Sequence, residues 1–164
     1  MKKVGIVMGS ASDLPTVEKA VAVLDEFEVP YEVHVLSAHR SPVEAAEFAG
    51  GARANGFGAI IAAAGMAAHL AGAMAANTTL PVIGIPLTSK TLDGMDALLS
   101  TVMMPPGIPV ATVAIDGAKN AALLAIQIIA LGDDALTEKL EANRAEGTRA
   151  SLEKNAEVEA RFNK

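Results

Sequence analysis

The sequence predicts a three-layer α/β/α fold: a five-stranded parallel sheet of order 2-1-3-4-5 between helices, with a long helix at its C-terminal end. Three observations carry this. Five short apolar runs, most of them rich in Val and Ile, alternate with segments whose apolar residues recur at helical spacing. Between residues 54 and 89 no Asp, Glu, Lys or Arg occurs, as expected of strands buried on both faces and of a helix packed between them. From Gly132 onward the pattern changes. Fourteen of the last thirty-three residues are charged, which suits a helix that is largely solvated or that reaches across to a neighbouring subunit.

The elements follow in order. The first strand spans 3–8. Its helix carries Pro15 in the first turn, and Val17, Ala20, Val21, Leu24 and Phe27 recur on one face. The second strand spans 31–36, and Ser41-Pro42-Val43-Glu44 opens the next helix as a capping box with Pro at the first helical position. The third strand spans 59–63. A turn containing Gly65 and an Ala-rich helix around 69–76 follow it. The fourth strand is 82–86, with a helix near 92–102. Met104-Pro105-Pro106-Gly107 then forms a stiff loop into a fifth strand, 109–115, and Asp116-Gly117 turns into a helix over 118–131. Residues 1–131 read as one catalytic domain. Residues 132–164 read as its helical extension, with Leu136, Leu140, Leu152 and Ala156 as a thin apolar stripe.

Composition excludes several function classes. Aromatic residues make up 3% of the chain and the net charge is −6, so neither a base-stacking platform nor a phosphate-backbone binder is expected. There is no cysteine, hence no disulfide framework and no thiolate metal site, which fits a cytoplasmic protein. Met1-Lys2-Lys3 runs straight into the first strand, with no signal-peptide pattern. The apolar stretch 56–76 is long enough to span a bilayer, but it is Ala/Gly-rich and divides into a strand and a helix, so no membrane span is expected. Three scattered histidines make a poor metal-ligand set. Neither a Gly-x-Gly-x-x-Gly nor a Walker loop is present, so no nucleotide cofactor is indicated.

Two loops carry the chemistry. Gly9-Ser10-Ala11-Ser12-Asp13 follows the first strand, and Ser37-Ala38-His39-Arg40 follows the second. A strand that ends in a small polar loop before a helix start is the usual construction of an anion site, because free backbone N–H groups face the ligand. Ser10 and Ser12 offer hydroxyls to a phosphate, and Asp13 offers an acceptor to a ribose hydroxyl. Either Ser12 or Asp13 serves equally well as a plain helix N-cap. Arg40 supplies a planar fork suited to phosphate. His39 is the side chain able to give and take a proton near neutral pH. In the order 2-1-3-4-5 the first strand lies between the second and third, so these loops and the turn at Gly65 to His69 meet in one crevice. Thr88, Ser89 and Lys90, after the fourth strand, reach the same edge. His34 reads as a strand residue on the polar face.

Together these strings resemble the N5-carboxyaminoimidazole ribonucleotide mutases of purine biosynthesis, the class I enzymes that act without ATP. The resemblance runs nearly end to end. It rests on Val7-Met8-Gly9-Ser10-x-Ser12-Asp13, Ser37-Ala38-His39-Arg40-Ser41-Pro42 and Ala67-Ala68-His69-Leu70. It continues through Leu80-Pro81-Val82-Ile83-Gly84, Met104-Pro105-x-Gly107-Ile108-Pro109-Val110 and Asn120-Ala121-Ala122-Leu123-Leu124-Ala125. The resemblance implies that Ser10, Ser12, Asp13, Ser37, Arg40 and Gly65 bind a ribonucleotide, with Ser37 at its phosphate end. It implies that His39 is the catalytic histidine and that His69 lines the carboxylate end. A homo-octamer, with the C-terminal helix packed on a neighbour, is implied as well. The sister carboxylase, which uses aminoimidazole ribonucleotide and free CO2, has Lys where this chain has Arg40. A flavodoxin-like module that binds a nucleotide without turnover would leave His39 without a purpose.

The chain departs from the family pattern at several positions. The family is Gly-richer where this chain has Ala63-Ala64-Gly65-Met66. It has Pro at Ala71 and Gln at Met103, and its Gly-rich loop is longer where this chain has Asp116-Gly117-Ala118-Lys119. A Met at position 66 is expected to narrow the carboxylate pocket.

Overall fold

The computed structural model describes residues 1–163. Its sheet has five strands, all parallel, in the order β2-β1-β3-β4-β5. They are β1 (Lys3–Met8), β2 (Tyr31–Val35), β3 (Phe57–Gly65), β4 (Val82–Leu87) and β5 (Ala111–Thr112). The helices are α1 (Leu14–Glu26), α2 (Pro42–Ala52), α3 (Leu70–Ala76), α4 (Met95–Val102), α5 (Ala118–Ala130) and α6 (Asp134–Phe162). The predicted strand order therefore holds. Its cause is visible in burial: every residue of β4 is buried, as are five of the six in β1. Such strands need helices on both faces, and only crossover connections supply them.

Two apolar cores result. On one face Val17, Ala20 and Leu24 of α1 and Ala121, Ala122, Ala125 and Ile126 of α5 pack on Ile6, Ile61 and Ile85, with Leu136 of α6 completing the cluster. On the other face Ala45, Ala49, Leu70 and Met74 of α2 and α3 pack on Val7, Ile60, Ala62 and Val82. Small residues set the spacing. A Cβ on Gly84 would lie 2.3 Å from Cγ2 of Thr101 and 3.1 Å from Cβ of Ala71, so α3 and α4 approach β4 as closely as a side-chain-free position allows.

Three local expectations are corrected, and a fourth, the solvated C-terminal helix, is given its detail. β3 runs longer than 59–63, because backbone pairing with β4 continues to Gly65↔Leu87. The fifth strand shrinks from 109–115 to Ala111–Thr112. Pro109 has no N–H to donate, and beyond Thr112 only Val113 N and Asp116 N bond back, to the carbonyls of Gly84 and Pro86. The fourth helix starts at Met95 rather than 92, because Asp93 and Gly94 adopt φ of 52° and 90° and form its entry turn. The apolar stripe of α6 is covered only at its start: Leu136 is buried, whereas Leu152 is 63% exposed. The stretch 56–76 divides into β3 and α3, as expected. No helix among the described residues is long and apolar enough to cross a membrane. His34 does more than face solvent, since it bonds Glu32 at 3.2 Å and packs on Phe48.

Candidate active site

A cleft of about 930 Å³ opens at the C-terminal edge of the sheet. It lies where β1 is flanked by β2 on one side and β3 on the other, the place where loops diverge to opposite faces. Ser10, Ser12, Asp13, Ser37, His39, Arg40, Gly65 and His69 all line it. So do Thr88, Ser89 and Lys90. Residues separated by as much as half the chain therefore share one wall-to-wall surface.

The first loop is a single 3-10 turn, Ala11–Asp13, and Ser10 rather than Ser12 or Asp13 is its N-cap. The hydroxyl of Ser10 accepts from Ser12 N, and the Asp13 carboxylate accepts from Ser10 N at 3.0 Å. That is a reciprocal capping box. Ser12 Oγ adds a bond to Ser10 Oγ at 2.9 Å. Partial burial raises the Asp13 carboxyl above its ordinary value; bonds from Ser10 and Ser12 and the charge of Arg40 pull against that rise.

The second loop closes on itself in a different way. Ser41 N donates to Ser37 O at 2.9 Å, and Ser37 N donates to Ser41 Oγ at 2.9 Å. Ser37 Oγ in turn accepts from the backbone N–H groups of His39 and Arg40, at 3.3 and 3.2 Å. The capping box predicted at Ser41 and Glu44 is consequently absent: the Ser41 hydroxyl is spent on Ser37, and α2 begins on Pro42 without a side-chain cap. The outcome is a stiff turn that leaves the side chains of His39 and Arg40 exposed toward the cleft. Arg40 Nη2 donates to Gly9 O at 2.6 Å, which ties the second loop to the first and leaves four of the five guanidinium N–H donors for other partners.

These bonds correct one premise. The backbone N–H groups of Ser10, Ser12, Asp13, His39, Arg40 and Ser41 are engaged within the loops themselves. Those six N–H groups are spent on holding the loops, and the hydroxyls of Ser10 and Ser37 and the guanidinium of Arg40 are donors left facing the cleft.

The third loop carries Met66, Ala67 and His69. Met66 has φ of 58° and is 68% exposed, so its side chain stands at the cleft rim. His69 Nδ1 lies 3.1 Å from the Ser100 carbonyl. A carbonyl only accepts, so Nδ1 carries the proton in that bond and Nε2 of the neutral ring is left as an acceptor. Gly72 makes room for this ring, because a Cβ there would lie 2.4 Å from His69 Cε1 and Nε2. The turn before α3 is fixed from behind by buried Thr101, whose hydroxyl lies 3.1 Å from Ala68 O and 2.7 Å from Ala97 O.

Four cleft residues escaped the sequence reading. Leu87, Thr91 and Leu92 line it, and Asp96 in the first turn of α4 accepts from Ser89 Oγ at 3.2 Å. The only sequence signal for Asp96 was the turn chemistry of Asp93-Gly94, which places an acidic residue just inside a helix start.

The cleft thus presents two imidazoles, two cations, two carboxylates and several hydroxyls above small apolar side chains such as Ala64 and Ala67. That set suits an anionic, hydroxyl-bearing small molecule and a proton transfer. Comparison with known proteins points the same way. A family model described as AIR carboxylase matches residues 3–150. An N5-carboxyaminoimidazole ribonucleotide mutase from Pyrococcus abyssi is 58% identical over 144 residues, covering 88% of this chain and 83% of that protein. Proteins of the same name from Synechocystis and Bacillus subtilis are 55% and 52% identical. They cover 95% and 94% of this chain and 89% and 97% of their own lengths. Among solved structures, PurE from Treponema denticola superposes with a TM-score of 0.83 at 28% identity, over 98% of both chains.

Proposed function

The chain belongs to the AIR carboxylase family, and from that premise we propose that it is an N5-carboxyaminoimidazole ribonucleotide mutase, an isomerase of purine biosynthesis. It moves a carboxyl group from the exocyclic N5 of an aminoimidazole ribonucleotide to ring carbon C4. The observation that carries the reading is the convergence of His39, Arg40, Ser10 and Asp13 on one cleft, in a chain more than half identical to proteins of that name.

The chemistry requires one proton out and one proton back. The N5–carboxyl bond breaks to release CO2, and N5 takes a proton. The enamine-like C4 then attacks CO2, and the C4 proton leaves. His39 serves both steps, as acid toward N5 and as base toward C4, and ends in the state in which it began. No electron is gained or lost. Arg40, Ser10 and Ser37 take the phosphate end. The Ser37 hydroxyl oxygen already accepts two N–H groups, so its proton is available to a phosphate oxygen. Asp13 takes a ribose hydroxyl, Ser12 supports the Ser10 hydroxyl at 2.9 Å, and binding energy from these remote groups orients the ring. Gly65 leaves the ring space: a Cβ there would meet no atom closer than 3.7 Å, so packing alone does not demand glycine. His69 lines the carboxylate end, and the Ala64–Ala67 wall keeps released CO2 from water.

The assembly is a homo-octamer in which α6 docks on a neighbouring subunit. The exposure of Leu152, Val158 and Phe162 along α6, and of Leu99, Val102 and Met103 at the end of α4, supports burial against further copies. A chain without cysteine acting on a phosphorylated substrate fits a cytoplasmic location. The deciding assay feeds purified protein with N5-carboxyaminoimidazole ribonucleotide, and separately with aminoimidazole ribonucleotide plus bicarbonate. Conversion of the first without bicarbonate is expected. Conversion of only the second makes the protein a carboxylase, and nucleotide binding without product makes it a binding module.

A further inference from the structure

The β4–α4 loop forms one wall of the cleft, with Thr88, Ser89, Lys90, Thr91 and Leu92 all lining it. It brings Lys90, which with Arg40 makes the two Lys or Arg side chains of the lining. For an anionic substrate, where this loop stands decides whether the second cation is in reach. Yet four of its five residues are exposed, and a segment with so little buried surface frays unless it is tied.

Two ties hold it: Ser89 Oγ donates to Asp96 at 3.2 Å within the cleft, and a second, two-oxygen tie comes from outside the cleft. Asp116, in the turn between β5 and α5, does not line it. Its carboxylate accepts from Thr88 N at 3.0 Å through one oxygen and from Thr88 Oγ1 at 2.5 Å through the other. Its backbone N donates to Pro86 O at 2.9 Å, which seats Asp116 on the end of β4, two residues before Thr88. With φ of 55° the residue turns back over the strand end, a conformation that Asp, Asn and Gly tolerate best. The loop's other end is closed by Gly94, where a Cβ would lie 2.8 Å from Ile115 Cγ2 and 3.2 Å from Thr88 Cα.

We infer that Asp116 is a positioning residue for the mutase: its two-oxygen clasp on Thr88 holds the β4–α4 loop, and with it Lys90, in place for substrate binding. This rests on the mutase reading of the cleft. The test compares Asp116→Gly, which keeps the backbone conformation and removes the clasp, with Asp116→Asn, which keeps both the conformation and an acceptor for Thr88 N. Steady-state kinetics on N5-carboxyaminoimidazole ribonucleotide and trypsin cleavage after Lys90 are measured on the full-length assembled protein. In Asp116→Gly, KM rises about fivefold to tenfold with kcat within about twofold, as expected when charge-assisted hydrogen bonds that order a binding loop are lost. Cleavage after Lys90 accelerates about tenfold, as local opening grows. Asp116→Asn stays within about twofold of the parent on both measures. An unchanged KM in Asp116→Gly overturns the proposal. So does a KM increase without faster cleavage, or an Asn variant as impaired as the Gly variant. If the parent itself fails to convert the substrate, the mutase reading falls and takes the catalytic part of this proposal with it, while the cleavage rates still decide whether Asp116 holds the loop.

Discussion

Met66 holds a left-handed backbone conformation, with φ of 58°, that a Cβ disfavours by about 1–2 kcal/mol. Replacing it with glycine removes that cost. Two losses oppose the gain. The side chain is 68% exposed, so about a third of a full Met burial is forfeited, on the order of 0.5–1 kcal/mol. Glycine also gives the unfolded chain more freedom, which costs about 0.4–1 kcal/mol. The clean comparison is therefore Met66→Gly against Met66→Ala, because both variants lose the same atoms beyond Cβ and only one keeps the strain. The Gly variant is expected to be more stable than the Ala variant by about 0.5–1 kcal/mol. For a chain of this size that difference is about 1–4 °C in Tm. Thermal and urea unfolding, followed by circular dichroism at one protomer concentration so that assembly is held constant, measure it. An Ala variant as stable as the Gly variant, or more so, refutes the claim that the turn after β3 stores backbone strain.

Further outcomes follow from the cleft. His39→Asn keeps nucleotide binding and lowers kcat by at least about 10²-fold, the scale of a general acid–base group; calorimetry and turnover on the same preparation check both halves. Arg40→Ala removes the bond to Gly9 O as well as a substrate contact, so KM rises more than kcat falls, and an unchanged KM refutes the phosphate role. Asp13→Asn stabilises the protein at pH 7 while reducing activity. The Asp13 carboxyl titrates above its ordinary 3.8 because burial opposes its charge. Its stabilising contribution is thus complete below that value and lost as pH rises through the folded-state value. The Tm advantage of the Asn variant should vanish near pH 3.

The legible parts of this chain were those that local pattern controls. Alternation of apolar runs with helical spacing marked the strands, and burial of all of β4 and most of β1 and β3 forced crossovers and with them the order 2-1-3-4-5. Strand order then placed the loops at Ser10, His39 and His69 beside one another. Pro42 was correctly read as the first residue of α2, because its ring fixes the backbone without help from elsewhere. The cap was not, because Ser41 can bond either forward into the helix or back to Ser37, and the backward choice depends on how the preceding strand ends. The extent of β5 was missed for a similar reason, since pairing needs a partner in register as well as suitable residues.

By itself the sequence determined the fold class and which loops carry hydroxyls, imidazoles and a guanidinium, since periodicity and residue chemistry are properties of the chain read in order. Tertiary structure decided which donors remain for a ligand. The loops consume most of their own N–H groups, Asp116 reaches Thr88 across 28 positions, and Gly72 clears space for the ring of His69. Those outcomes depend on distances between segments that meet only after the sheet has formed, and a hydrogen bond exists only where its two ends are brought within about 3 Å.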